Sequence, residues 1–138
     1  MHHTLGRKPR ITICEGDYAR LSNLAAAFAQ RNPEVAAGLS EEIERARIVS
    51  DKAIDAAIVR MGSRVAYSSD GGEGKTVTLV YPGAADIENG RISVTTPVGT
   101  ALIGLKAGQS IRYATRTGRI HDLAVIEVTQ TEEAGVDR

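Results

Sequence analysis

Apolar positions in the first third of the chain recur at helical spacing. Tyr18, Leu21, Leu24, Ala25 and Phe28 fall three and four apart, which predicts an amphipathic helix over 18–31 with one core-facing stripe. Asp17 is placed to cap it. Ahead of it, Ile11, Thr12, Ile13 and Cys14 read as a short strand. Asn32-Pro33 stops the helix and offers a cap and a first helical residue for the next. Ser40, followed by Glu41 and Glu42 where a helix dipole favours acids, offers a second start. Val35, Leu39, Ile43 and Ala46 continue a stripe from either one. Two helices joined by so short a loop are antiparallel neighbours, so the N-terminal part reads as a stubby helical hairpin. Glu41–Arg45 and Glu44–Arg47 are spaced to pair on its solvated surface.

Ser50, Asp51 and Lys52 begin a linker, in which 53–57 offers a further helical turn, and beyond it the period changes to two. Residues 58–61 open a sheet region, with Gly62-Ser63 as a turn. Val65 and Tyr67 alternate on one strand and Val77 and Leu79 on the next, with the Gly-rich 69–74 between them as a hairpin turn. Residues 82–90 form a polar loop. The chain is organised around 92–128. Ile92 begins an extended stretch, Thr96 caps a short helix with Pro97 at its first position, and Val98, Ala101 and Leu102 share one helical face. Gly104 ends that helix in a left-handed conformation and Gly108 makes the next turn. Ile111 and Tyr113 alternate with polar residues, Thr117-Gly118 turns, and Ile120 with 123–128 supplies a last strand. Residues 131–138 are polar and expected to fray. The fold class is therefore α+β, with a hairpin unit at 1–52 and a sheet unit at 53–138.

Composition narrows the function. The 138 residues carry 17 Lys+Arg against 17 Asp+Glu, so no excess of cations is available to neutralise nucleic-acid phosphates. Cys14 is the single cysteine, which excludes a disulfide framework and a Cys-rich zinc site; in its strand-like run it reads as a small buried residue. No apolar run approaches a membrane span and no signal-peptide core opens the chain, so a cytoplasmic location is expected. His2 and His3 are terminal and far from His121, so no metal-ligand spacing exists, and no function is assigned to Met1, His2 and His3. Lys8, Pro9 and Arg10 read as a solvated basic tail. His121 and Asp122 are strand neighbours that point to opposite faces, which excludes them as a catalytic pair. The run from Gly71 to Thr76 lacks the first glycine of the Gly-x4-Gly-Lys phosphate-loop frame and precedes a β-branched strand. No cofactor site is legible.

Ile92-Ser93-Val94 running into Pro97-x-x-x-Ala101-Leu102-Ile103-Gly104, then Gly108 and Val125-Ile126-Glu127-Val128, resembles the C-terminal domain of the Gre-type transcript cleavage factors, the GreA/GreB superfamily. With the Val80-Tyr81-Pro82 strand end and the short helical N-terminus, the chain is similar to the superfamily's smaller branch, the regulators of nucleoside diphosphate kinase. The resemblance covers about residues 10–130. It implies an FKBP-like antiparallel sheet with one short helix. It also implies docking on RNA polymerase at the rim of the secondary channel, in competition with Gre factors, with DNA contact at most indirect and no membrane partner. It maps the polymerase-contacting region onto Thr96, Pro97, Val98 and Gly99.

Gre factors carry two acids at the tip of a long coiled coil, where they help to hold a magnesium ion. Here each helix spans about 14 residues, roughly 20 Å at about 1.5 Å per residue. The tip, with Asn32, Pro33 and Glu34, bears one carboxylate, a poor site for a hard dication. Reach and chemistry both argue against cleavage and for a non-enzymatic regulator. The alternatives are direct regulation of nucleoside diphosphate kinase, and weak cleavage stimulation with Glu34 as part of a metal site. Prolyl isomerase activity, which the fold type raises, needs an aromatic pocket; the chain has no Trp, and its one Phe, Phe28, lies in the first helix.

Overall fold

A computed structural model describes residues 8–131. The expectations for Met1, His2, His3 and for residues 132–138 lie outside the described residues. The N-terminal unit runs β1 (Thr12–Cys14), α1 (Glu15–Phe28), α2 (Pro33–Arg45) and β2 (Arg47–Val49). β1 and β2 pair in parallel, Thr12 opposite Arg47 and Cys14 opposite Val49. Parallel neighbours need a crossover, and the α1–α2 hairpin supplies it. The pattern of residues along the chain predicts no strand at β2. Arg47 and Ile48 are exposed and show no alternation, so only pairing with β1 makes them a strand.

The start of α2 is settled at Pro33. Asn32 accepts the Val35 N–H at 3.3 Å and Pro33 occupies the first turn, leaving Ser40 in mid-helix. Asp17 does not cap α1. The helix begins at Glu15 straight off β1, and its N-cap, Cys14, makes no side-chain cap bond. Asp17 instead turns inward, 9% exposed, and its Oδ2 accepts the Met61 N–H at 3.0 Å. Leu21 and Ala25 carry the core stripe of α1 as expected, whereas Tyr18 lies 41% exposed over the groove between the helices. Cys14 is buried, and burial pushes its thiol pKa up, so it is a core residue.

The five-stranded sheet contains β3 (Arg64–Ser69), β4 (Lys75–Val80), β5 (Arg91–Ser93), β6 (Ser110–Ala114) and β7 (Ile120–Thr129), in the order β5-β4-β3-β7-β6. All neighbours are antiparallel except β4 and β5. The connection between the two edge strands passes through α3 (Pro97–Leu102). Two bulges bend the sheet at one place. Ile126 is the extra residue in the β3–β7 register. Across β7, the Gly108 N–H donates to the Val125 carbonyl while the Val125 N–H donates to Gln109, both at 2.9 Å.

Residues 58–61 are not a strand. Val59 exchanges backbone bonds with Gly104 and Leu105, Ile58 forms a single bridge to Lys106, and the Met61 N–H is taken by Asp17. The loop 82–90 holds two short 3-10 turns, Pro82–Ala84 and Ile87–Asn89. Thr131 is not frayed: its hydroxyl donates to the Gly62 carbonyl at 2.7 Å. One core joins the two units, with Ile11, Ile13, Leu21 and Leu39 in the same cluster as Val65, Leu79, Leu102 and Leu123.

Gly99 is buried where α3 passes over the end of β5. A Cβ there would overlap the Ser93 carbonyl and come within 2.9 Å of the Val94 Cα, both backbone. Gly99→Ala should therefore lose at least about 2 kcal/mol of stability, read from a urea melt; a loss within about 0.5 kcal/mol would refute the close packing. At Asp17, burial above all raises the carboxyl pKa, against the opposing Met61 amide and Arg60 charge. The folded chain therefore holds this proton more tightly than the unfolded one. The stability it lends is present below the ordinary value of 3.8 and is lost as pH rises through the raised one. Asp17→Ala should cost about 1–3 kcal/mol at neutral pH by stranding the Met61 N–H. Asp17→Asn should keep an acceptor, match or exceed the parent at neutral pH, and flatten this part of the pH dependence in urea melts at pH 4 and pH 8.

Candidate functional site

The short helix α3 is fixed by threonines at its start. The Thr96 hydroxyl accepts the Gly99 N–H at 3.0 Å and donates to the Ser93 carbonyl at 2.7 Å. Thr100 Oγ1 donates to the Val94 carbonyl at 2.6 Å. These bonds hold Pro97 at the first helical position, where it is partly buried. Of the four residues expected to meet a partner, Thr96 caps, Val98 packs partly against the core and Gly99 is buried, so Pro97 is the one that lines a surface groove.

That groove has a volume of about 360 Å³ and lies between α2, α3 and β6. Thr95, Pro97, Thr100 and Ala101 line it at α3, Val35 and Gly38 line it from α2, and Tyr113 from β6. Asn32 and Glu34 line it too. The hairpin tip and the α3 start, more than sixty residues apart in the chain, therefore border one cavity. Pro33 does not: it borders a second groove, about 480 Å³, between α1 and α2. The hairpin is thus laid against the sheet unit along α2 and does not stand clear of it.

The charges on α2 are arranged differently from the expected surface pairs. Glu42, only 4% exposed, bonds Arg45 at 2.7 Å and Lys8 at 2.9 Å. Lys8 also reaches Glu41 at 3.1 Å, and Arg45 donates to the Pro9 carbonyl. The basic N-terminal run is therefore tied to α2, and Arg47 belongs to β2. The signal was available: Glu42 stands three residues after Leu39, on the buried stripe. Arg31, past the end of α1, lies over the Phe28 ring at 4.6 Å.

A second polar cluster involves His121, but with Asp70 and not Asp122. Asp70 Oδ2 meets His121 Nδ1 at 2.6 Å and Oδ1 accepts the Asp122 N–H at 2.8 Å. These bonds stabilise the left-handed conformation of Asp70, φ 54°, at the turn between β3 and β4. The His121 hydrogen bond, then the Asp122 amide, hold the Asp70 carboxyl below its usual range. The Asp70-Gly71 turn pair was a sequence signal for that backbone; the partner across the sheet was not legible. Among the described residues no group of three or more His, Cys, Asp or Glu gathers closely enough to hold a metal ion, and no helix is long and apolar enough to cross a membrane.

Comparison with known proteins places this architecture. The family model for "Transcription elongation factor, GreA/GreB, C-term" matches residues 41–130, and the model for "Rnk N-terminus" matches residues 9–49. The regulator of nucleoside diphosphate kinase of Escherichia coli K12 is 34% identical over 131 residues, 94% of this chain and 96% of that protein. The transcription elongation factor GreA of Thermodesulfovibrio yellowstonii is 38% identical over 74 residues, 53% of this chain and 47% of its own length. Among solved structures, a prokaryotic transcription elongation factor GreA/GreB from Nitrosomonas europaea superposes with a TM-score of 0.70 at 32% identity, covering 87% of this chain and 99% of that one. The chain belongs to the GreA/GreB family, in the branch that joins the Rnk N-terminal region to the GreA/GreB C-terminal domain.

Proposed function

We propose that this chain is a cytoplasmic regulator that binds RNA polymerase at the rim of the secondary channel and acts by occupancy, without transcript-cleavage chemistry. Its sheet unit, residues 53–138, makes the contact through the surface at Pro97, set by Thr96, Val98 and Gly99. The hairpin unit, residues 1–52, rests at the channel mouth. The observation that carries the reading is the convergence of Pro97 and the hairpin tip on one groove in a member of the GreA/GreB family. Pro97 offers a rigid apolar surface at a helix start whose own polar groups are already satisfied.

Three features support occupancy over cleavage. The helices have 14 and 13 residues, so they extend about 20 Å. Glu34 is the one carboxylate at the tip, and Glu41 and Glu42 are engaged by Lys8 and Arg45. A hard divalent cation draws on several oxygen ligands, which this tip does not gather. A second reading rests on a different observation. A relative 34% identical across nearly the whole chain carries the name regulator of nucleoside diphosphate kinase. In that reading the same surface contacts the kinase directly.

The full-length chain should bind core RNA polymerase and be displaced by a Gre factor. Pro97→Asp should weaken that binding at least tenfold while leaving the fold intact, since an acid is well tolerated at a helix start. Glu34→Ala should leave binding unchanged, and neither form should stimulate cleavage in a stalled elongation complex. Absence of binding at micromolar concentrations would sink the polymerase reading and bring the kinase forward. Cleavage that disappears with Glu34→Ala would establish the weak-stimulator alternative.

A further inference from the structure

The two edges of the five-stranded sheet are finished differently. β5 is covered at Arg91, which exchanges backbone bonds of 2.9 Å with Asp86. β6 has no such cover. Its bonds to β7 follow from the register. Val125 bonds to Gln109 and the Thr115 N–H donates to Arg119, so the odd-numbered residues Ile111 and Tyr113 between them carry the ladder. The N–H and C=O groups of Ser110, Arg112 and Ala114 therefore point away from the sheet. All three residues are exposed, and these backbone groups meet no protein partner among the described residues. This open edge borders the groove between β6 and α2.

We propose that the β6 edge is a docking site for an acidic, extended segment of a partner protein, which adds as a sixth strand and lays alternate side chains into the groove. An open edge supplies main-chain donors and acceptors at the strand repeat, and a flanking pocket supplies selectivity. The charge of the edge selects the occupant. Arg112 stands at its centre, paired with Asp122 at 2.9 Å, and Arg116 and Arg119 lie exposed on the turn that follows; of the carboxylates that line the groove, Glu41 and Glu42 are engaged by Lys8 and Arg45, and Glu34 lies at the hairpin tip. Two antiparallel copies of β6 centred on Arg112 would set like charges opposite each other, which disfavours a second copy. An acidic strand meets the same charges with opposite sign. This inference is independent of the polymerase reading, because its test uses a peptide alone.

The test is titration of the full chain with a fluorescein-labelled ten-residue peptide of alternating valine and glutamate, with amide exchange followed by NMR. Saturable binding should weaken as salt rises. On binding, the Arg112 and Ala114 amides should slow in exchange at least tenfold, while the Ile111 and Tyr113 amides, already bonded to β7, change little. Arg112→Pro removes an outward N–H that the sheet does not use, and proline is tolerated at such edge positions. It should bind at least tenfold more weakly than Arg112→Ala, which lacks the same charge but keeps the N–H. The amide measurement on the parent chain stands if the proline variant fails to fold. The proposal is overturned by absence of binding up to millimolar peptide, by binding without protection of Arg112 and Ala114, by equal affinity of the folded proline and alanine variants, or by a dimer in sedimentation that occupies the edge.

Discussion

The seat of β1 on the 103–105 stretch is the contact on which the rest of the molecule depends. The Thr12 N–H donates to the Gly104 carbonyl at 3.1 Å. Ile11 occupies the space a side chain at residue 104 would take, 2.9 Å from an ideal Cβ there. Residue 104 also has φ 82°, so only glycine meets both demands. Ile11 and Ile13 are 1% and 2% exposed, and burial of each contributes about 1.5–3 kcal/mol. On its other side β1 pairs with β2, and the hairpin between them follows. The Gly104 N–H bonds Val59, which draws the 50–63 segment into the same junction.

The sheet bends where β7 meets two bulges, one against β3 and one against the start of β6. Bulges increase local twist and re-aim a strand. Here they curl β6 around the side of the sheet on which α3 packs. α3 then presents its first residue outward, and α2 closes the far side of the same groove. The groove is thus a product of three separate devices: a glycine seat for β1, a bend in β7, and a threonine-capped helix start.

Its chemistry is mixed. Small residues, Thr95, Pro97, Thr100 and Ala101, line it at α3, and acids of α2 share it with the bases Lys8, Arg112 and Arg116. Most of these charges are already engaged: Lys8 and Arg45 with Glu42, Arg112 with Asp122. Glu42 is buried with two cationic partners. Such a pair owes its place more to specifying geometry than to net stability, because desolvation offsets most of the attraction. In this molecule it ties the N-terminal run to α2 and sets the wall of the groove.

The sequence alone determined what local chemistry dictates. The α1 and α2 stripes at Leu21, Ala25, Leu39 and Ile43, the Asn32-Pro33 start, the Thr96-Pro97 start and the alternation of β3 and β4 all follow from periodicity, capping and turn residues, and they carry the family resemblance with them. What only the tertiary structure decided depends on partners distant in the chain. β2 is a strand because β1 lies beside it. Asp17 is a buried acceptor because the Met61 amide arrives there from 44 residues away. His121 meets Asp70 because β7 pairs with β3. Pro97 and Glu34 share a groove because α2 is packed against α3. In each case the deciding term is a long-range hydrogen bond or packing contact, and no local pattern of residues encodes it.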